Sequence, residues 1–393
     1  MSFAQLGLSK PLLNALNHLG YAEPTAIQAQ AIPAALAGKD IIGEAQTGTG
    51  KTASFTLPVL EQLITDNTLR GKRIRALVLT PTRELAMQVA ASITQYAQYT
   101  RLSCMSMYGG ADMQAQKQQL IQGVDVLVAT PGRLLDMAFQ RALYFDALEY
   151  LIIDEADRML DMGFIDDINK IVARLPEQRQ TLLFTATLNN DVRFLASTIS
   201  DPDEEISVIK KRSNAPKIQQ WLVTVDKDTK SSLLSHLIQT QQWQQALIFT
   251  EKKHSAAKLV EQLAKRGIIA EAIHSGRSQA SREQVLADFK TGTLAFLVAT
   301  GVAARGLDIQ GLERVVNYDL PHPADDYIHR IGRTGRAGAS GEAISLVSKD
   351  DFKNLCAIES RLGHIIQRKA FEGFTVRKTV PVSVLNYAPK QQR

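Results

Sequence analysis

The sequence predicts an α/β protein of two domains, each a mostly parallel sheet with helices on both faces. Three observations carry this. A chain of 393 residues, at roughly 150 residues per domain, is long enough for two or three domains. Short runs that are apolar throughout, as strands buried on both faces are, alternate with helical patterns along most of the length. The rhythm breaks once, over a charged stretch containing Pro202, Lys210, Lys211, Arg212 and Pro216, and then restarts. Charge and proline without apolar periodicity read as a linker. The expected division is a first domain over residues 1–205, a flexible linker over 206–217, a second domain over 218–370 and a short tail over 371–393.

The elements follow in order. Ser9 is placed to cap a first helix, Pro11 suits its first turn, and Leu12, Leu13, Leu16 and Leu19 share a face before Gly20 ends it. Strands are expected at 40–43, 76–79, 124–129, 151–153 and 181–184, with helices at 84–96 and 165–175. Beyond the linker, strands are expected at 245–250, 268–273, 295–300, 314–318 and 343–347.

Composition narrows the class. Hydrophobic residues form 45% of the chain and charged residues 22%, and 24 glycines with 13 prolines make up under a tenth. That excludes collagen-like and low-complexity chains. The two cysteines, Cys104 and Cys356, lie far apart and form neither a metal-type pair nor a disulfide framework, which points to a reducing compartment. With no apolar run of about 18 residues and no basic-then-apolar leader at the start, the expected location is the cytoplasm. A net charge of +5 permits a polyanionic partner without proving one.

The segment Ala45-Gln46-Thr47-Gly48-Thr49-Gly50-Lys51-Thr52 lies between an expected strand and an expected helix. In that context, backbone N–H groups at Gly48 and Gly50 converge on phosphate oxygens at a helix N-terminus. Lys51 would reach the β- and γ-phosphates, and the Thr52 hydroxyl would ligate Mg²⁺. Ala45 stands where the usual pattern has its first glycine, so a plain glycine-rich turn remains the competing account. The second element is Asp154-Glu155-Ala156-Asp157, entered directly from the apolar Leu151-Ile152-Ile153. A carboxylate there faces the crevice at the carboxyl end of a parallel sheet. Asp154 would hold Mg²⁺ and Glu155 would orient or deprotonate an attacking water. A solvated acidic helix start is the alternative, and it weakens once both elements occur together.

With these two elements the chain resembles the DEAD-box family of ATP-dependent RNA helicases, whose tetrapeptide is Asp154-Glu155-Ala156-Asp157. The likeness runs over nearly all of residues 1–375, and the opening Met1-Ser2-Phe3 with Leu6-Gly7-Leu8 is most similar to the bacterial RhlE-type branch. The resemblance implies two RecA-like domains, ATP and Mg²⁺ as cofactors, and RNA as partner. It implies that Tyr21 stacks on adenine, supported by Phe3, and that Gln28 reads the adenine edge. Gln46, Thr47, Gly48, Thr49, Gly50, Lys51 and Thr52 would hold the phosphates, and Asp308 the ribose. Pro81, Thr82, Arg83, Gly110, Thr130 and Arg133 match RNA-contacting elements of the first domain, and Gly276, Gln279, Arg282 and Thr300 those of the second. Backbone and hydroxyl contacts of this kind ignore base identity. Arg333 and Arg336 would act as arginine fingers, worth on the order of 10³–10⁵ in rate. His329 would link the γ-phosphate site to RNA, and Asp157, Thr185 and Thr187 would couple hydrolysis to strand separation.

Three positions depart from the family's pattern. Thr185 replaces the usual serine, Gly301 stands where Asp usually follows Thr300, and Glu251 where Arg is common. All three bear on coupling between ATP and RNA. The expected activity is RNA-stimulated ATP hydrolysis with local unwinding of short duplexes by a monomer. Target choice would lie with partners such as ribosome-assembly or RNA-decay proteins. An ATP-dependent RNA clamp is the runner-up. A small-molecule P-loop kinase is disfavoured by Arg333 and Arg336 and by the lack of an obvious lid.

Overall fold

The computed structural model describes residues 2–46, 48–65, 73–140, 142–208, 218–274, 276–301, 312–335, 341–383 and 385. They fall into two compact units, Met1–Lys211 and Arg212–Arg393. Each unit holds a seven-stranded sheet among the described residues, and every strand pairing is parallel.

After a 3-10 turn at Phe3–Leu6, the first unit runs α1 (Lys10–His18), α2 (Ala26–Leu36), β1 (Ile41–Glu44), α3 (Lys51–Thr65), β2 (Ala76–Leu79), α4 (Arg83–Tyr96), β3 (Cys104–Met107) and α5 (Met113–Gln122). It continues through β4 (Val126–Ala129), α6 (Pro131–Phe139), β5 (Tyr150–Asp154), α7 (Ala156–Asp161), α8 (Ile165–Val172), β6 (Gln180–Thr185), α9 (Asn190–Ile199) and β7 (Glu204–Ser207). The strand order is β3-β4-β2-β5-β6-β1-β7. Alternate residues of each strand enter opposite core layers. Ile41, Val78, Val126, Ile152 and Leu182 pack with α2, α3 and α4, whereas Ile42, Leu77, Leu127, Ile153 and Leu183 pack with α6, α8 and α9. That double burial is why these strands read as continuous apolar runs.

The second unit runs β8 (Ile218–Thr224), α10 (Lys230–Thr240), β9 (Ala246–Thr250), α11 (Lys253–Ala264), β10 (Ala270–Ile273), α12 (Gln279–Lys290) and β11 (Phe296–Thr300). It ends with β12 (Arg314–Asn317), α13 (Ala324–Ile331), β13 (Gly341–Val347), α14 (Phe352–Leu362) and β14 (Gln367–Lys369). Its strand order is β10-β11-β9-β12-β13-β8-β14.

All ten expected strand segments are strands. Four further strands, β3, β7, β8 and β14, have no counterpart in the expected set. The charged stretch after Ser200, read as the start of the linker, instead forms β7, which pairs with β1 through Ile41 and Glu204. Only Ile206 of that strand is buried, and an edge strand tolerates charge that a central one does not. The remainder of the expected linker, 209–217, lies outside the described residues.

One local expectation changes in detail. Ser9 does occupy the N-cap of α1, but its hydroxyl makes no capping bond; its backbone N–H donates to Glu61 Oε2 at 2.7 Å instead. The segment after β14 packs back on its own unit. Phe371 lies 5.9 Å from the Trp221 ring, Phe374 lies 5.3 Å from His236, and the Arg377 backbone N–H donates to Asp226 at 2.8 Å. No helix of the described residues is long and apolar enough to cross a membrane.

Candidate active site and nucleic-acid interface

The central strands β5, β6 and β1 stand side by side, and each delivers an expected motif at its carboxyl end. Strand β1 leads into the glycine-rich loop and α3, which begins at Lys51. Strand β5 ends on Asp154 and β6 on Thr185. Register places Glu44 beside Thr185 and Asp154 beside Phe184. The phosphate loop and the two carboxylates therefore share one rim of the sheet.

The loop is built around glycine. Gly50 has φ +91°, and a Cβ there would stand 2.3 Å from Gln28 Nε2. The Gly50 carbonyl accepts from the Ser54 hydroxyl at 3.1 Å and from the Gln28 amide at 3.1 Å, while the Thr49 hydroxyl donates to the Gln46 carbonyl at 2.7 Å. Gly48 also takes a positive φ, and Thr52 occupies the second position of α3. Thr47 lies outside the described residues.

Lys51 and Asp154 are buried at 6% and 3% exposure. Lys51 Nζ and Asp154 Oδ1 nevertheless have no hydrogen-bond partner among the described residues. Burial, then the neighbouring Glu155 charge, pushes the Asp154 carboxyl up to about 7, against the pull of Lys51. A buried ammonium and a buried carboxylate oxygen, both unpartnered, are costly unless an anion and a cation come to them. Mg²⁺ is typically bound by one or two carboxylates together with substrate phosphates, so Asp154 and Thr52 fit the ion and Lys51 fits the phosphate.

Glu155 adopts a left-handed backbone, φ 55° and ψ 51°, at the N-cap of α7. Arg158 Nη1 donates to Glu155 Oε2 at 2.7 Å. Asp157 faces the end of β6: its Oδ2 accepts from the Thr187 backbone N–H at 3.0 Å and from the Thr187 hydroxyl at 2.8 Å. The Thr185 hydroxyl donates to the Thr187 carbonyl at 2.9 Å, so the threonine at this departure makes a bond inside the motif.

The adenine-side residues are engaged with the protein itself. Gln28 is 1% exposed; its Oε1 accepts from the Thr25 N–H at 2.9 Å and its amide donates to Gly50. The Tyr21 hydroxyl lies 2.9 Å from that of Tyr96, and its ring meets Phe3 and Tyr96 edge-on at 6.1 and 6.0 Å.

The expected RNA elements leave the adjacent strands β2, β4 and β3 at the same rim. Pro81 and Thr82 are buried, and the Thr82 hydroxyl caps α4 by accepting from Leu85 N–H at 3.2 Å. Gly110, at φ +87°, lies so close to Arg83 that a Cβ would stand 2.2 Å from Nη1. Thr130 sits at the N-cap of α6. Arg133 is turned inward, donating to Gln116 Oε1 at 3.0 Å and to the Ala111 carbonyl at 3.2 Å. It braces the loop carrying Gly110.

In the second unit, β10, β11 and β9 are neighbours and bring their ends together. Thr300 stands in register with Thr250, and the Gly276 N–H donates to His274 Nδ1 at 3.1 Å. Gln279 opens α12, and Arg282 lies one turn further along it. His274 is held below its ordinary value by burial and by Arg277, Lys253, Arg282 and His254, so this corner is strongly cationic despite the exposed Glu251. His329 lies on α13 and the buried Arg333 just beyond it. Gly301 faces Arg330: a Cβ there would meet Nη2 at 3.3 Å. Asp308 and Arg336 lie outside the described residues.

Sequence reasoning overlooked Arg158, Tyr96 and Gln116. Arg158 carried a usable signal, an opposite charge one helical turn from Glu155. Tyr96 and Gln116 carried none, since their partners are distant in the chain.

Residues 25–195 match the DEAD/DEAH box helicase family and residues 229–338 the helicase conserved C-terminal domain. The chain is 42% identical over 358 residues to the DEAD-box ATP-dependent RNA helicase CshA of Geobacillus kaustophilus, covering 91% of this chain and 76% of that one. It is 41% identical over 359 residues to the CshA helicase of Bacillus subtilis, covering 91% and 72%. Among solved structures it is similar to S. cerevisiae Dbp5 bound to RNA and ADP BeF3, with TM-score 0.83, 31% identity and coverage of 94% and 95%. It is also similar to Mss116p bound to ssRNA and AMP-PNP, with TM-score 0.85, 27% identity and coverage of 94% and 78%. The chain belongs to the DEAD-box family of ATP-dependent RNA helicases.

Proposed function

We propose that this chain hydrolyses ATP under the control of single-stranded RNA and uses the cycle to open short duplexes locally. The observation that carries this reading is the buried, unpartnered pair Lys51 Nζ and Asp154 Oδ1 at the rim shared by β1 and β5. Residues 1–205 bind the nucleotide, 206–217 link, 218–370 supply the arginines, and 371–393 form the tail. Asp154 and Thr52 would hold Mg²⁺, which when bound would supply charge neutralisation for the nucleotide's phosphates. Lys51 and the loop N–H groups bind the phosphates. Glu155 orients the attacking water and receives its proton. Tyr21 and Gln28 hold adenine, using the second amide N–H and the second oxygen lone pair that the Gly50 and Thr25 bonds leave on Gln28. Asp308 binds the ribose. Arg333 and Arg336 stabilise the charge that develops on the transferred phosphoryl group, and His329 relays between nucleotide and RNA.

RNA lies along the loops after β2 and β4 and the strand ends at Gly276, Gln279, Arg282 and Thr300, recognised through its backbone. Contacts to 2′-hydroxyls favour RNA over DNA. Asp157 with Thr185 and Thr187 couples hydrolysis to strand separation. The protein acts as a cytoplasmic monomer whose targets are chosen by partners. The matched relatives cited above carry the CshA name, so assignment to the RhlE-type branch rests on the opening segment alone.

The test is steady-state ATP hydrolysis with and without single-stranded RNA, beside a Glu155→Gln variant. Stimulation by RNA that the variant abolishes supports the reading. Equal stimulation by DNA overturns the substrate assignment. Tight RNA binding with a non-hydrolysable ATP analogue, without duplex separation, establishes the clamp instead.

A further inference from the structure

The buried arginine that follows the acidic tetrapeptide has no part in the mechanism above. Arg158 is 2% exposed, and its guanidinium donates to Glu155 Oε2 at 2.7 Å, with both side chains sealed from solvent at 3% and 8% exposure. The pair spans one turn of α7, but α7 is not an ordinary frame. Glu155 enters it from a left-handed backbone, one of two non-glycine residues with positive φ among those described. Non-glycine residues hold that conformation only where the surroundings over-determine it. The Arg158 N–H is itself fixed, donating to Asp157 Oδ1 at 3.0 Å, and Asp157 is anchored on Thr187. The arginine is therefore rooted in the rim of β6 and reaches back over Glu155.

We propose that Arg158 is a positioning residue for hydrolysis: it anchors one oxygen of the Glu155 carboxylate so that the other faces the attacking water in a fixed direction. Oε2 is taken by the guanidinium, and no protein partner holds Oε1 among the described residues. A carboxylate gripped by one oxygen keeps a single orientation, and a misplacement near 1 Å in such a group costs on the order of 10²-fold in rate. Breaking a buried ion pair leaves the remaining charged group without its partner, so the contact is costly to lose. A lysine supplies charge without the planar fork. This inference rests on Glu155 acting on the attacking water, as proposed above.

The test compares Arg158→Met, Arg158→Gln and Arg158→Lys with the wild-type chain and with Glu155→Gln, in RNA-stimulated ATP hydrolysis. Affinity for a fluorescent ADP analogue and thermal unfolding are measured alongside. The expected result for Arg158→Met is a fall in kcat of about ten- to a hundredfold, with KM for ATP and analogue affinity within twofold. Arg158→Lys is expected to restore part of the loss. If the methionine variant does not fold, the comparison of Gln with Lys decides in the same way. A kcat within twofold of wild type in the neutral variants, while Glu155→Gln is inactive, overturns the role of Arg158 alone. A parallel loss of kcat, analogue affinity and thermal stability, with lysine no better than the neutral variants, shows a purely structural arginine and also overturns it. Full activity in Glu155→Gln overturns the reading of Glu155 itself.

Discussion

Arg133 is anchored before RNA arrives. Its guanidinium is shared between Gln116 and the carbonyl of Ala111, so it holds the backbone of the loop that presents Gly110. Hydrogen bonds to charged groups are worth about 1.5–3 kcal/mol, enough to keep one loop conformation populated. Gln116→Leu removes the side-chain partner and leaves Arg133 half-satisfied. The expected outcome is RNA affinity weaker by about three- to tenfold, roughly 1 kcal/mol, with KM for ATP unchanged; fluorescence anisotropy on labelled single-stranded RNA checks it. Unchanged RNA affinity would mean that Arg133 meets RNA only after leaving this site. Gln28 presents the same physics on the nucleotide side, since its amide bonds are already made to Thr25 and Gly50.

Elements differ in how they manage polar groups that their packing buries. Helix α14 contains Glu359, which is 0% exposed. Its Oε1 accepts from the Ile366 N–H at 2.8 Å, while Oε2 is buried without a partner among the described residues. Burial pushes this carboxyl above its ordinary value, against the opposing pull of the Ile366 bond and Arg368. A raised folded value means the folded state holds the proton more tightly than the unfolded chain does. The contribution of Glu359 is therefore most favourable below the ordinary carboxylate range, and it declines as pH rises toward and through the raised value. Glu359→Gln cannot ionise, so its melting temperature relative to wild type should climb as pH goes from 4 to 8; a difference independent of pH would refute this. The strands show a related rule in their sequence. Most interior strands are apolar on both faces and stand out, whereas β3, β7 and β14 are edges with exposed or alternating burial, and the interior β8 opens with the polar, partly exposed Gln219-Gln220. An edge strand needs only one apolar face or less, so its composition does not distinguish it from a loop.

At the scale of the whole molecule, each unit owns separate core layers, two in the first and three in the second among the described residues. Independent cores unfold as independent cooperative steps. In the proposed reading ADP contacts chiefly the first unit, so a saturating nucleotide should raise one calorimetric transition and leave the other in place. At a hundredfold excess over Kd the stabilisation is about 2.7 kcal/mol. Equal shifts of both transitions without RNA would show that nucleotide engages both units at once. The sequence by itself determined the class of fold, ten strands, the α1 boundaries and the order of the motifs. Those features are local: a doubly buried strand, a glycine loop before a helix and an acid after a strand each leave their mark within a few residues. Only the tertiary structure decided what each functional side chain touches. Tyr21 meets Tyr96 and Arg133 meets Gln116 because the packing of helices and loops on the sheet brings together segments distant in the chain, and no run of neighbouring residues encodes that meeting. The strained turn at Glu155 and the grip of Arg158 on it belong to the same level. Charge spacing along the chain allows that contact, and burial at the end of β5 makes it strong.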